Sequence, residues 1–216
     1  MNSESRESSG LVAQFKPDIE SASELIAKDF GLLGETNIRL VPVGTWALHS
    51  GLPALMAQWR NSASGAFLTE FLATPENAEA YLNRVWIQPV NSLLFVIKVG
   101  NAFVGHLGLA NVTGTSAVID NVMKGDSASP RGLMKDAFRR VLEFGRHSLQ
   151  IDRVELEVLS SNTRAIKLYE EVGFSRDYAH ALRREQDAGM VRLVKCEPAD
   201  ADSDLTCVGM SISLTS

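Results

Sequence analysis

Residues 151–174 read I-D-R-V-E-L-E-V-L-S-S-N-T-R-A-I-K-L-Y-E-E-V-G-F, and no other stretch restricts the fold as tightly. Val154, Leu156 and Val158 alternate with Glu155, Glu157 and Leu159, the period of a strand that places both glutamates on one face. Ser160, Ser161 and Asn162 supply turn chemistry, and Asn162 or Thr163 is placed to cap a following helix. In that helix Ala165, Ile166, Tyr169 and Val172 recur at spacings of three and four, which makes one apolar stripe. Gly173 stands where a left-handed C-terminal cap belongs, and Phe174 leaves it as an apolar anchor. One strand, one tight turn and one short helix are therefore predicted in sequence.

The rest of the chain supplies alternating elements around this unit. A strand is predicted over 38–43 (I-R-L-V-P-V), with Pro42 placing its end at an edge or turn. Residues 45–60 read as helix, broken near Gly51-Leu52-Pro53. Thr74 and Pro75 open a second helix, as cap and first helical residue, that turns Ala78, Tyr81, Leu82 and Val85 inward. Between the two helices, Phe67 and Phe71 sit in a small-residue loop that suits a substrate loop and a connection with two core anchors equally well. The apolar runs 93–99 and 102–110 flank Gly100-Asn101 and predict a hairpin, followed by a strand over 115–123. A helix over 133–146 carries Leu133, Met134, Ala137, Phe138, Val141 and Leu142 on one stripe. It joins the strands at 115–123 and 151–159 as parallel neighbours, because a strand–helix–strand crossover requires that. After Phe174, strands are predicted over 189–195 and 205–214, joined by the acidic segment E-P-A-D-A-D-S-D as a solvated hairpin tip.

At 216 residues the chain is read as a tail or short helical extension over 1–35 and one domain over 36–216. The first ten residues are Ser-rich and charged, and read as disordered. A short helix is predicted over 21–33, docking on the domain or on a second subunit, which leaves a homodimer open. Net charge is −5, which argues against nucleic acid as a partner, since phosphate contacts need clustered Lys and Arg. The longest apolar run, 93–97, is too short to span a membrane, and the N-terminus lacks the apolar core of a signal peptide. Cys196 and Cys207 form no metal-binding or disulfide pattern and read as small hydrophobic residues in a reducing compartment, so a cytoplasmic location and no bound metal are expected.

The pattern N-x-x-A-I-x-L-Y-x-x-x-G-F, formed by Asn162, Ala165, Ile166, Leu168, Tyr169, Gly173 and Phe174, resembles the C-terminal motif of the GNAT superfamily of N-acetyltransferases. The order of predicted elements from about residue 37 onward resembles that family too. The resemblance implies an α/β (α+β) fold: a central mixed, mostly antiparallel sheet, splayed at two parallel strands, with helices on both faces. It also implies acetyl-CoA as co-substrate. In the family a loop of the form Q/R-x-x-G-x-G/A enters a helix and cradles the pyrophosphate, as helix N-termini do. Here the stretch is Ser129-Pro130-Arg131-Gly132-Leu133-Met134. Gly132 matches the pattern, whereas Ser129 and Met134 depart from it, leaving Arg131 or Lys124 to compensate by charge. The resemblance places Val122 and Met123 along the pantetheine arm, and Asn162 and Ala165 at the flanking turn and helix.

Acetyl transfer to an amine needs the amine to lose a proton, the oxyanion to be stabilised and the thiolate to be protonated. By the resemblance Tyr169 is the candidate acid and Glu157 the candidate base, with Asp120 and His106 as runners-up. The expected acceptor is a primary amine of a small molecule. The segments I-D-N-V and R-G-L-M loosely resemble enzymes that act on amino-sugar nucleotides. The substrate-side segments lack the acidic cluster that a polyamine would favour. Two alternatives stand beside this reading: acetylation of a protein N-terminus, as in ribosomal-protein acetyltransferases, and a non-catalytic module that holds acyl-CoA.

Overall fold

The structure, a computed structural model, describes residues 12–16, 38–125, 130–187 and 189–215. The tail over 1–10, the helix predicted over 21–33, the boundary at 35–36 and Ser129 lie outside the described residues.

Among the described residues, nine strands form one sheet in the order β1-β3-β4-β5-β6-β9-β7-β8-β2. They are β1 (Ile38–Pro42), β2 (Thr69–Glu70), β3 (Leu93–Val99), β4 (Ala102–Thr113), β5 (Ser116–Lys124), β6 (Arg153–Leu159), β7 (Ser175–Asp187), β8 (Met190–Cys196) and β9 (Thr206–Ser213). Every neighbouring pair is antiparallel except β5 and β6. The helices are α1 (Leu52–Ser62), α2 (Pro75–Tyr81), α3 (Leu133–Leu149) and α4 (Thr163–Val172), with π-helical turns over Leu82–Ile87 after α2. No helix among the described residues is long and apolar enough to cross a membrane.

Alternation along β3 feeds two cores, one on each face of the sheet, and a smaller third cluster joins Leu159, Leu182, Leu193 and Cys207. Leu93, Phe95 and Ile97 pack with Phe138 of α3 and Ile166 of α4. Leu94 and Val96 pack on the other face, with Trp59 of α1 and Trp86 of the π-helical turns. The helix signals read from sequence act as local physics dictates. Thr74 and Asn77 form a reciprocal capping box. Asn162 accepts from the Ala165 N–H at 3.2 Å, and Gly173 closes α4 at φ 112°. The N-terminal turn is tied in as well. Val12 is fully buried, Phe15 packs edge-on against Phe144, and the Lys16 ammonium donates to the carbonyls of Trp86, Ile87 and Pro89.

Two features differ from the sequence expectation. A long strand, β7, occupies Ser175–Asp187, where none is predicted. Of its thirteen residues only Leu182 is buried, so no apolar alternation marks it, and its ladder partners β8 and β9 hold it in the sheet. Because β7 lies between β8 and β9, the acidic segment 197–204 is a crossover connection rather than a hairpin tip.

Backbone proximity is tight where Trp86 crosses the sheet. A Cβ at Gly108 would overlap the Trp86 ring, which is itself 1% exposed. Gly108→Ala is therefore expected to destabilise the fold by about 1–3 kcal/mol, the usual range for overpacking a closed core. Urea unfolding followed by tryptophan fluorescence measures it, and unchanged stability would show that Trp86 moves aside freely.

Candidate active site

The parallel pairing of β5 and β6 is short. Ser116, Ala117 and Val118 pair with Arg153, Val154 and Glu155, and beyond them the strands separate. The cause lies in β5. His106 and Gly108 of β4 oppose Met123 and Asp120, so Asn121 and Val122 together face Leu107, the geometry of a bulge. Asn121 takes φ 54°, its N–H donates to Asp120 Oδ1 at 2.6 Å, and its carbonyl accepts from His106 Nδ1 at 2.7 Å. A bulge increases local twist, which carries the end of β5 away from β6. The facing edges of both strands then lack ladder partners and are free to pair with an extended ligand.

The gap opens into a cleft of about 1160 Å³. Val122 and Met123 line one side, and Asn162, Ala165 and Tyr169 of α4 line the other. Gly132, Leu133 and Met134 stand at the start of α3. Arg131 is exposed and is not part of the wall. Gly132 caps α3 at φ 82° with no side-chain hydrogen bond to the first amides, which leaves that N-terminus available to an anion. Lys124, Lys135 and Arg164 line the cleft as well, Lys135 in an ion pair with Glu171 at 3.2 Å. Met134, the bulky departure from the loop pattern, is 9% exposed and belongs to the core beneath α3. These donors and cations fit a pyrophosphate.

Tyr169 is 6% exposed and packs against Phe138 and Phe174, with ring centroids 5.4 and 6.2 Å away. Burial, and then the field of Asp120, hold its hydroxyl pKa well above the ordinary range, so it stays protonated. Asp120 and Glu157 project from β5 and β6 on the face of α1 and α2, where both line the cleft. Asp120 is reached by water yet walled in by protein, and that burial raises its pKa against the opposing pull of the Asn121 N–H and Arg60.

Glu157 sits differently. Lys195 of β8 donates to its Oε1, as does the Tyr178 hydroxyl of β7 at 2.8 Å. Burial alone would raise the Glu157 pKa, but these bonds and the Lys195 charge outweigh it and hold the carboxyl below its usual value. The same contact pushes Tyr178 up to about 12. Lys195 and Tyr178 lie in segments where the sequence carries no motif, so only the fold brings them to Glu157.

His106 is 2% exposed beneath Trp59, and burial lowers its pKa to about 4 despite its bond to the Asn121 carbonyl. That makes it a neutral anchor of the bulge and a weak base. A neutral buried histidine favours the folded state most when the unfolded one is also uncharged, above pH 6.5. As pH falls from 6.5 toward 4 the unfolded chain takes up a proton that the folded chain refuses, and stability drops by up to about 3 kcal/mol. His106→Gln is expected to flatten this slope, measured by urea unfolding across that window. A slope equal to wild type would assign the acid sensitivity to other groups.

Comparison with known proteins agrees with this architecture. The sequence profile of the Acetyltransferase (GNAT) domain matches residues 45–175, more than half of the chain. No curated protein sequence matches it. Among solved structures, spermidine N-acetyltransferase from Vibrio cholerae, in complex with CoA and spermine, superposes with a TM-score of 0.62 at 16% identity. The match covers 83% of this chain and 96% of that one. A ribosomal L7/L12 alpha-N-protein acetyltransferase in complex with coenzyme A gives a TM-score of 0.62 at 12% identity, over 84% and 97% of the two chains. At such identities the likeness concerns the fold, and the profile match carries the family. With its sheet splayed beyond Val118 and an open helix N-terminus at Gly132, the chain belongs to the GNAT acetyltransferase family.

Proposed function

We propose that the protein transfers an acetyl group from acetyl-CoA to a primary amine of a small molecule, by direct attack on the thioester. The observation that carries this reading is the splayed β5–β6 gap, with a protonated tyrosine on one side and ionisable carboxylates on the other. Acetyl-CoA supplies the activated acyl group. The α3 N-terminus with Lys124, Lys135 and Arg164 holds its phosphates, and the unpaired β5 edge at Val122 and Met123 runs along its arm. An amino-sugar nucleotide is one acceptor consistent with the cleft's size. A protein N-terminus is a second reading within the same chemistry, suggested by the fold shared with the ribosomal-protein enzyme.

An amine arrives at neutral pH as an ammonium ion, and its base works best with a pKa near the working pH. Asp120 is shifted toward that range and Glu157 away from it. Asp120 therefore takes the ammonium proton and frees the nitrogen lone pair. Glu157, already bonded to Lys195 and Tyr178, has its charge paired and takes no proton from the acceptor. The carbon–nitrogen bond forms and the carbon–sulfur bond breaks. Tyr169 then donates its proton to the departing sulfur and recovers one, through solvent, from the new amide nitrogen.

Asp120→Asn is expected to lower kcat by about 100-fold or more and to remove the acidic limb of the pH–rate profile. Glu157→Gln should lower kcat less and leave that limb in place. The reverse pattern would return the base role to Glu157. Tyr169→Phe should lower kcat by about 100-fold with little change in acetyl-CoA affinity by calorimetry. Normal turnover in that variant would reduce Tyr169 to a packing residue.

A further inference from the structure

The α1 side of the cleft holds a cation that no carboxylate contacts. Arg60, in the last turn of α1, is half-buried and lines the cleft. Its guanidinium carbon lies 4.2 Å from the Phe67 ring centroid and 4.5 Å from that of Phe71. Its Nη2 donates to the Thr69 carbonyl at 3.0 Å and to Thr69 Oγ1 at 2.7 Å. These two bonds leave about three of the five guanidinium N–H donors without a protein partner among the described residues. The rings and Thr69 fix the guanidinium in place, so little further ordering is needed to bind with it.

Position separates Arg60 from the phosphate site. Trp59 and Phe67 belong to the core on the α1 face, whereas Leu133, Met134 and Tyr169 belong to the core on the opposite face of the sheet. Arg60 thus faces the acceptor end of the cleft. Asp120 lines the same space, near enough for each charge to act on the other but without an ion pair. Arg84 and Arg192 also line this side. Against them stand Asp120 and Glu157, and Glu157 is already neutralised by Lys195. Such a wall repels a polycation and leaves room for an anion opposite a carboxylate.

We propose that the amine acceptor carries an anionic group, a carboxylate or a phosphate, which Arg60 binds while Asp120 receives the amine. Planar donors in a fixed fork match either anion. This rests on the acetyl-transfer reading above and names the acceptor class of that same site. It makes Arg60 a specificity-determining residue, selecting amines by the negative charge they carry.

Thiol release from acetyl-CoA by the full-length protein tests it, with acceptors in matched pairs. One pair sets amino acids against their amides, a second sets hexosamine phosphates against free hexosamines, and spermidine is run alongside. At least one anionic acceptor should exceed its neutral partner by about tenfold in kcat/KM, and the pair in which it does so separates carboxylate from phosphate. Arg60→Met should reduce that ratio by about tenfold, mainly through the acceptor KM, and Arg60→Lys should restore part of it. Because the ratio is taken within one preparation, a general loss of folded protein does not move it. Preference for neutral amines or spermidine, or an equal fall for both members of a pair in Arg60→Met, would overturn the proposal while leaving acetyl transfer intact. Absence of thiol release with every amine, together with no acetyl-CoA binding, would overturn the acetyl-transfer reading and this inference with it.

Discussion

The bulge at Asn121–Val122 is the constraint on which the site depends. It adds one residue to β5 opposite Leu107, and the left-handed backbone at Asn121 is held by a hydrogen bond on each side. Without it, β5 and β6 could continue pairing beyond Val118, and the sheet would close. With it, two unpaired strand edges diverge and a space large enough for an extended ligand opens between them. His106 matters here as a neutral donor buried under Trp59, whose bond to the Asn121 carbonyl resists relaxation of the kink. The histidine that stands out in an apolar strand thus holds the bulge in place.

Much of this was legible in sequence because local rules and tertiary demands agree. Asn162, Gly173 and the stripe through Tyr169 each satisfy a cap, a left-handed turn or a buried face, and the structure uses them so. The crossover through α3 fixes a parallel β5–β6 pair by geometry alone. What was not legible depends on contacts between segments. β7 has charged residues at both ends and one buried side chain, and it is held by ladder bonds to β8 and β9, which leave no periodic trace. The clamp on Arg60 is similar: Phe67, Thr69 and Phe71 alternate along the chain, but they meet the guanidinium only after the loop folds back on α1.

Failure to see β7 also shapes the reading of Glu157. In the register of the sheet Glu157 pairs with Gly209, and Gly209 pairs with Tyr178, so the three residues form one row across β6, β9 and β7. Gly209 has no side chain to block the row, and a Cβ there would overlap the Tyr178 ring. Tyr178 therefore reaches across Gly209 to Glu157, and Lys195 arrives from β8. The candidate base of the sequence reading is, in the fold, a bonded and charge-paired carboxylate. The strand that escapes prediction supplies one of its two partners.

These observations divide the cleft electrostatically along the plane of the sheet. On the α3 and α4 face, a helix N-terminus and three cations, one of them shared with Glu171, suit a pyrophosphate, and a buried tyrosine keeps its proton. On the α1 face, Lys195 removes one of two carboxylates from play and leaves Asp120 opposite Arg60. Two opposite charges that share a cleft without touching are costly unless a third body completes them, because each is partly stripped of water. A ligand with an amine at one end and an anion at the other satisfies both at once. A simple alkylamine would satisfy only Asp120 and leave Arg60 without an anion. On the proposed reading, the asymmetry between the two faces separates the ligands: the phosphate-rich one against the helix dipole, and the acceptor against the arginine.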